Sequence, residues 1–258
     1  MSTNVKSLFA GAKAGGDIGK QALQVLAIPD LGMQIQAGLG VSVDDVPSSE
    51  VTLVNILVDD SGSISGNEDT MRAGVNSIIE SLEQSKQRDG IIVSIRYLNG
   101  TQLTPYAPLD AVPKLDASNY QANGGTPLYD QSVVICGQVI AKRQEFTDGG
   151  VVCRAVTAII TDGADLHSRS ASAKDVAKVV KDMLATESHI VIGMGIGNES
   201  YFRDIFKQMG IEDKWILTPG NSKSEIRKAF AVVSQSAVRA SQGAAGFSKT
   251  ASAGFTSP

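Results

Sequence analysis

The hydrophobic positions of the chain alternate between two spacings. Val51 to Val58 reads VTLVNILV, a nearly continuous β-branched run that suits a strand covered on both faces in the middle of a parallel sheet. It ends in the polar turn DDSGSISG. Met71, Val75, Ile78, Ile79 and Leu82 then fall on one face of a helix, to which Ser65 and Glu68 offer a capping box. A strand over Ile91 to Leu98 follows. The next, over Leu103 to Leu109, contains Pro105 and Pro108, which cannot donate to a central ladder and so mark an edge strand. Leu128, Ile135, Val139 and Ile140 predict a further helix, and Ala155 to Thr161 a second core strand. Val176, Val179, Val180, Met183 and Leu184 share a helical face ahead of the strand His189 to Ile196. The series closes with a short helix carrying Phe202, Ile205, Phe206 and Met209, a strand from Trp215 to Leu217, and a helix through Ile226, Phe230 and Val233 capped by Ser222 and Glu225.

Six strands with helices between them predict a doubly wound, mostly parallel α/β sheet, with helices on both faces and one antiparallel edge strand. Sheets of this Rossmann-like kind take ligands at the C-terminal ends of their strands, so the polar loops after Val58 and Thr161 should converge on one crevice.

Length and composition fit one large domain with attached segments: 258 residues, 42% hydrophobic and 19% charged. The domain is expected over 47–242. Residues 1–46 read as a partly helical arm, with an amphipathic stretch from Ile18 to Met33 interrupted by Pro29. Residues 243–258, GAAGFSKTASAGFTSP, repeat Ala-Gly-Phe and hold few packing side chains, so a disordered tail is expected there. Lys and Arg total 23 against 27 Asp and Glu, and the net charge of −4 offers no basic field to gather nucleic acid. No stretch approaches the roughly 18 apolar residues of a membrane span, and the first twenty residues lack the core of a signal peptide. These features predict a soluble cytoplasmic protein. Cys136 and Cys153 belong to no metal-ligand spacing and read as buried free thiols.

The chemistry concentrates in three loops. Asp59-Asp60-Ser61-Gly62-Ser63 places a carboxylate and two hydroxyls on one turn, in an Asp-x-Ser-x-Ser arrangement. Gly124-Gly125-Thr126 adds a hydroxyl before a helix, and Thr161-Asp162-Gly163 a second carboxylate at a strand end. An all-oxygen set suits a hard divalent cation such as Mg²⁺, whereas zinc favours nitrogen or sulfur. Asp60 is read as facing solvent, the alternative being that its carboxylate tightens cation binding, and His167 as an exposed loop residue, the alternative being a base at the crevice rim. The glycines of GMGIGN at 193–198 miss the dinucleotide spacing and fit close strand packing instead. Ser61 lacks a nucleophile elbow, and nothing forms a hydrolytic triad.

From about Val51 to Gln242 the chain resembles the von Willebrand factor type A (vWA) family, whose metal-ion-dependent adhesion site (MIDAS) combines an Asp-x-Ser-x-Ser loop, a distant Thr and a later Asp. The resemblance implies that Ser61, Ser63 and Thr126 ligate a metal through hydroxyls, while Asp59 and Asp162 bind it directly or through water. It implies Mg²⁺, with Mn²⁺ and Ca²⁺ as alternatives, and a protein partner whose Asp or Glu completes the coordination. The GGTPLYD and VSQSAVRASQ segments look most like small bacterial members of tellurium-resistance and stress-response type. The expectation is a non-enzymatic interaction module in a bacterial cytoplasmic assembly. Its rivals are an adaptor of a MoxR- or chelatase-like AAA+ ATPase, a homo-oligomer assembled through arm or tail, and a metal-dependent phosphohydrolase, which lacks an identifiable nucleophile or base.

Overall fold

A computed structural model describes residues 4–197 and 199–242. The expected tail at 243–258 lies outside the described residues, as does Asn198 of the GMGIGN run.

The sheet comprises β1 (Glu50–Val58), β2 (Ile91–Tyr97), β3 (Gln102–Pro108), β4 (Val152–Thr161), β5 (His189–Gly195) and β6 (Ile216–Leu217), in the order β3-β2-β1-β4-β5-β6. All pairings are parallel except β2 with β3, whose ladder carries a register irregularity near Ile95. β1 and β4 occupy the centre, which is why their sequences are apolar on both faces. The α/β order expected from the sequence is therefore the architecture, with strand ends moved by a few residues at most.

Two helices, α4 (Glu68–Glu83) and α8 (Lys223–Gln242), pack together on one face, and Gly74 lets them close: a Cβ there would sit 2.3 Å from the Phe230 ring. The capping box expected at Ser65 and Glu68 does not form. α4 starts two residues later than that box requires, with Asn67 at its N-cap, and the Glu68 carboxylate instead accepts the Gly66 N–H at 2.7 Å. At α8 the expected cap is present, the Glu225 N–H donating to Ser222 Oγ at 3.2 Å.

The other face carries α5 (Leu128–Asp148) and α6 (Ala173–Ala185), while α7 (Glu199–Gln208) packs beside β5 and α6. α5 is buried almost all round, because a third layer covers the side it turns away from the sheet. That layer is the N-terminal segment, read from sequence as an arm with one interrupted amphipathic stretch. It forms three helices, α1 (Val5–Ala14), α2 (Lys20–Leu26) and α3 (Pro29–Ala37), with Pro29 opening α3 at a position where its missing N–H costs nothing. Leu8, Phe9, Ala22, Leu26, Leu31 and Ile35 join the single core of the chain.

Polar contacts fasten the same layer. The buried Arg96 guanidinium donates to Gln131 Oε1 at 2.6 Å, to Gln102 Oε1 at 3.0 Å and to Gln34 Oε1 of α3, and pairs with no carboxylate among the described residues. Lys142, also buried, donates to the Val41 carbonyl and to Glu145. Residues 38–41 run along the outer edge of β3, exchanging Tyr106 N–H to Gly38 O at 3.2 Å and Val41 N–H to Tyr106 O at 2.9 Å, so the exposed ladder expected at this edge is covered. Gly40, at φ +58, approaches Tyr106 so closely that a Cβ would fall 2.1 Å from its carbonyl oxygen. Cys136 and Cys153 are free and buried, and burial pushes both thiols up to about 12. Among the described residues no helix is long and apolar enough to cross a membrane.

Candidate metal centre

The parallel register aligns the ends of β1 and β4, pairing Val58 with Ile160, so the loops that follow leave the sheet side by side. Asp59 heads the first loop. Its carboxylate is fully buried and accepts three hydrogen bonds: from Ser61 N–H at 2.8 Å, from Thr161 Oγ1 at 2.6 Å and from Asp162 N–H at 3.2 Å. The Asp59 carbonyl accepts the hydroxyl of buried Tyr120. Neighbours thus fix Asp59 from both loops and from the segment ahead of α5.

The two serines of the turn point the same way. Ser61 Oγ lies 2.8 Å from Ser63 Oγ, which donates to Asp162 Oδ1 at 2.6 Å. Thr126 approaches from the third loop, which Gly124 ties to the first through its N–H to the Asp60 carbonyl at 2.8 Å and a bridge to Ser61. A Cβ added to Gly163 would meet Thr126 Oγ1 and Ser63 Oγ at 3.7 Å each, so these hydroxyls face one small space beside the glycine. All five residues singled out from the sequence, Asp59, Ser61, Ser63, Thr126 and Asp162, are brought to one end of the sheet.

Asp60 corrects the sequence reading. It is 1% exposed, not solvated; its Oδ1 accepts Asn99 N–H at 3.0 Å, and Gly124 packs against both its oxygens. Burial, with the charge of Asp59 next to it, raises the Asp60 carboxyl to about 6. Asp162 is raised to about 6 by burial and by Asp59, against the lowering effect of its bond from Ser63. Among the described residues no basic side chain pairs with Asp59, Asp60 or Asp162. Three carboxylates and three hydroxyls therefore meet without a positive partner. Among the described residues no three His, Cys, Asp or Glu side chains form a metal-holding group, so an ion here would depend on the hydroxyls of Ser61, Ser63 and Thr126 as much as on the carboxylates. The donor set is the one a hard cation takes, and a cation would relieve the charge that burial leaves uncompensated.

The segment after β4, expected at the crevice, clamps the Thr126 turn. His167, exposed by area, accepts the Thr126 N–H on Nδ1 at 2.8 Å, while the Leu166 N–H donates to the Thr126 carbonyl at 3.1 Å. The imidazole stacks close to Gly125, where a Cβ would lie 3.2 Å from the ring. At the start of α5 the Asp130 carboxylate accepts the N–H groups of Arg169, Ser170 and Ala171, and Asp165 Oδ1 accepts Tyr129 N–H at 3.1 Å. None of these holders is marked by the sequence beyond the place of Asp130 in the GGTPLYD segment and of His167 five residues after Asp162. Beside Ser63 and Asp162 opens a cleft of about 430 Å³, lined also by Asn67, Ile196, Tyr201, Phe202 and Asn221.

Neither a protein-family model nor a curated protein sequence matches this chain. Solved structures do. Proximal thread matrix protein 1 from the mussel byssus superposes with a TM-score of 0.51 at 16% identity, over 74% of this chain and 47% of that one. A second structure of the mussel protein, described as having a zinc-occupied MIDAS motif, gives 0.51 at 16% identity over 73% and 46%. The pilus adhesin SpaC of Lactobacillus rhamnosus GG, in its open conformation, gives 0.53 at 14% identity over 75% and 30%. This chain thus matches less than half the length of each of these three structures. At such identities the likeness speaks for the fold alone: a doubly wound, mostly parallel six-stranded α/β sheet with one antiparallel edge strand and helices on both sides.

Proposed function

We propose that the chain is a non-enzymatic binding module in which one divalent cation, held by Asp59, Ser61, Ser63, Thr126 and Asp162, captures a carboxylate of a protein partner. The observation that carries this reading is the run of oxygens from Ser61 through Ser63 to Asp162 beside the buried Asp59 carboxylate, with no basic side chain among the described residues paired to it. When bound, the ion supplies a Lewis-acidic coordination position that an incoming Asp or Glu can fill. The chain's own residues do the rest. Thr161 and the Ser61 N–H hold Asp59, Ser63 orients Asp162, and His167 with Leu166 sets the position of Thr126. Neutral hydroxyls in place of further carboxylates leave the ion electron-poor, which favours an anionic partner.

Mg²⁺ is the first candidate on oxygen chemistry, with Mn²⁺ and Ca²⁺ next. Zn²⁺ joins the test because the structure of the mussel neighbour is described with zinc in its MIDAS motif. Titration calorimetry of the chain with each ion should give one site per chain, absent in Asp59→Ala. Pull-down from a bacterial lysate with Mg²⁺ or EDTA should then recover a partner only with the ion and only with the unaltered chain. Partners indifferent to both changes would sink the metal-bridged reading and move binding elsewhere on the surface.

A further inference from the structure

Four large hydrophobic side chains are exposed among the described residues, Met33, Val152, Leu166 and Tyr201, and two of them flank the polar donor set of the candidate metal centre. Leu166, 74% exposed, belongs to the loop that clamps the Thr126 turn. Tyr201, 44% exposed, lines the cleft beside Ser63 and Asp162, its ring edge-on to that of buried Phe202 with 5.4 Å between centroids. Exposed apolar groups gathered around a polar centre leave water only when a partner covers them, and buried aromatic anchors carry much of the energy of such contacts.

The cleft, at about 430 Å³, lies within the roughly 300–1,000 Å³ that ordinarily takes a ligand larger than one side chain. None of its described lining residues is a lysine, arginine or histidine, and Asp162 is its one carboxylate. Its wall carries the side-chain amides of Asn67 and Asn221. Asn67 stands at the N-cap of α4 without using its side chain there, and the Asn221 amide lies over Gly197, where a Cβ would come 3.2 Å from its oxygen. Neither amide is hydrogen-bonded to a described residue, and a carboxamide, which donates and accepts, matches a peptide group. In an extended segment, side chains two positions apart leave the same face about 7 Å from one another. An acidic side chain directed at the ion therefore brings its second neighbour to this cleft.

We infer that the protein partner binds as an extended segment in which an acidic residue and an apolar or aromatic residue stand two positions apart. The first meets the ion and the second packs on the Tyr201 ring, while Asn67 and Asn221 hydrogen-bond the main chain between them. Leu166 covers the opposite flank of the acidic residue. A second charge in place of the apolar residue is disfavoured, because no positive side chain of the cleft compensates an acid and the exposed face of Tyr201 remains uncovered. The inference rests on the metal-bridged reading and adds the direction the partner takes from the ion, along α7 and the segment ahead of α8.

The test selects short random peptides with one fixed Asp, displayed on phage, against the full chain in Mg²⁺, with elution by EDTA. Apolar and aromatic residues should be enriched over the input two positions from the Asp, on one side of it. Selection on Tyr201→Ser should lose that enrichment and keep elution by EDTA, and calorimetry should show its ion uptake unchanged, since Tyr201 supplies no ligand. A synthetic peptide from the first selection should bind the double variant Asn67→Ala and Asn221→Ala roughly fivefold more weakly or worse. Peptides released by EDTA but without the apolar preference, or with the same preference on Tyr201→Ser, would overturn this inference and leave the metal-bridged reading standing. So would a failure to retain any peptide, because a folded partner can still bridge the ion. Retained peptides indifferent to EDTA would overturn both.

Discussion

The hydroxyl of Thr161, the last residue of β4, donates to Oδ2 of Asp59 at 2.6 Å and so locks together the loops that leave the two central strands. Both residues are fully buried. Thr161→Val keeps the shape and branching but takes away a donor from a buried carboxylate, which typically costs about 1–3 kcal/mol. Urea unfolding without divalent ions should show that loss, and calorimetry should show weaker ion uptake. An unchanged midpoint and unchanged uptake would mean that the hydroxyl does not hold Asp59.

Asp60 is buried, receives one backbone N–H and faces the charge of Asp59. Asp60→Asn removes that repulsion at similar size. In ion-free buffer at pH 7.5 the variant is expected to be more stable by up to roughly 3 kcal/mol, the cost of ionising a group raised by about two pKa units. Thermal unfolding measures it; a lower midpoint would show that the charge is needed even without an ion.

Gly124 lies over Asp60 with no room for a side chain: a Cβ would sit 2.9 Å from Asn99 Cβ and from both Asp60 oxygens. Gly124→Ala should cost on the order of 1–3 kcal/mol through this overlap. It should also weaken ion binding, although Gly124 offers no ligand, because the strain displaces the turn that carries Thr126.

Asp130 accepts three consecutive backbone N–H groups from residues 169–171. Asp130→Ala leaves those donors without their partner. Hydrogen exchange of the peptide spanning 165–171 should speed up at least tenfold while the strands β1 and β4 stay protected. Unaltered exchange would show that other contacts hold the loop.

His189 supplies the clearest pH dependence. Burial lowers its pKa from 6.5 to about 3, so the folded chain keeps the imidazole neutral while the unfolded chain takes a proton below pH 6.5. The stability it contributes is complete above pH 6.5 and is lost as the pH falls toward 3. Between pH 7.5 and pH 5 the unaltered chain should lose about 2 kcal/mol more than His189→Leu. Parallel unfolding curves at the two pH values would refute this.

The alternation of apolar spacings carried the sheet, the edge position of β3 and the order of helices, because strands buried on both faces must be continuously apolar and amphipathic helices must show their period. The residues of the candidate centre were legible for a related reason: Asp-x-Ser-x-Ser, Thr126 and Asp162 are short local patterns at strand and helix ends. Their holders were not. Tyr120, His167 and Asp130 act through contacts across the fold, and an isolated tyrosine, a loop histidine or an aspartate at a helix start looks the same in sequence whether or not a backbone N–H or carbonyl waits for it. The same limit hid the burial of Asp60, which depends on Gly124 arriving from sixty-four residues away. It also hid the packing of the N-terminal layer: Val5, Leu8, Phe9 and Ala12 show the helical period, but short amphipathic helices look the same in sequence whether they project as an arm or cover α5. Local spacing determined which elements form and which oxygens stand at their ends, whereas the packing of distant loops decided which of those groups are buried, held and left without a counter-charge.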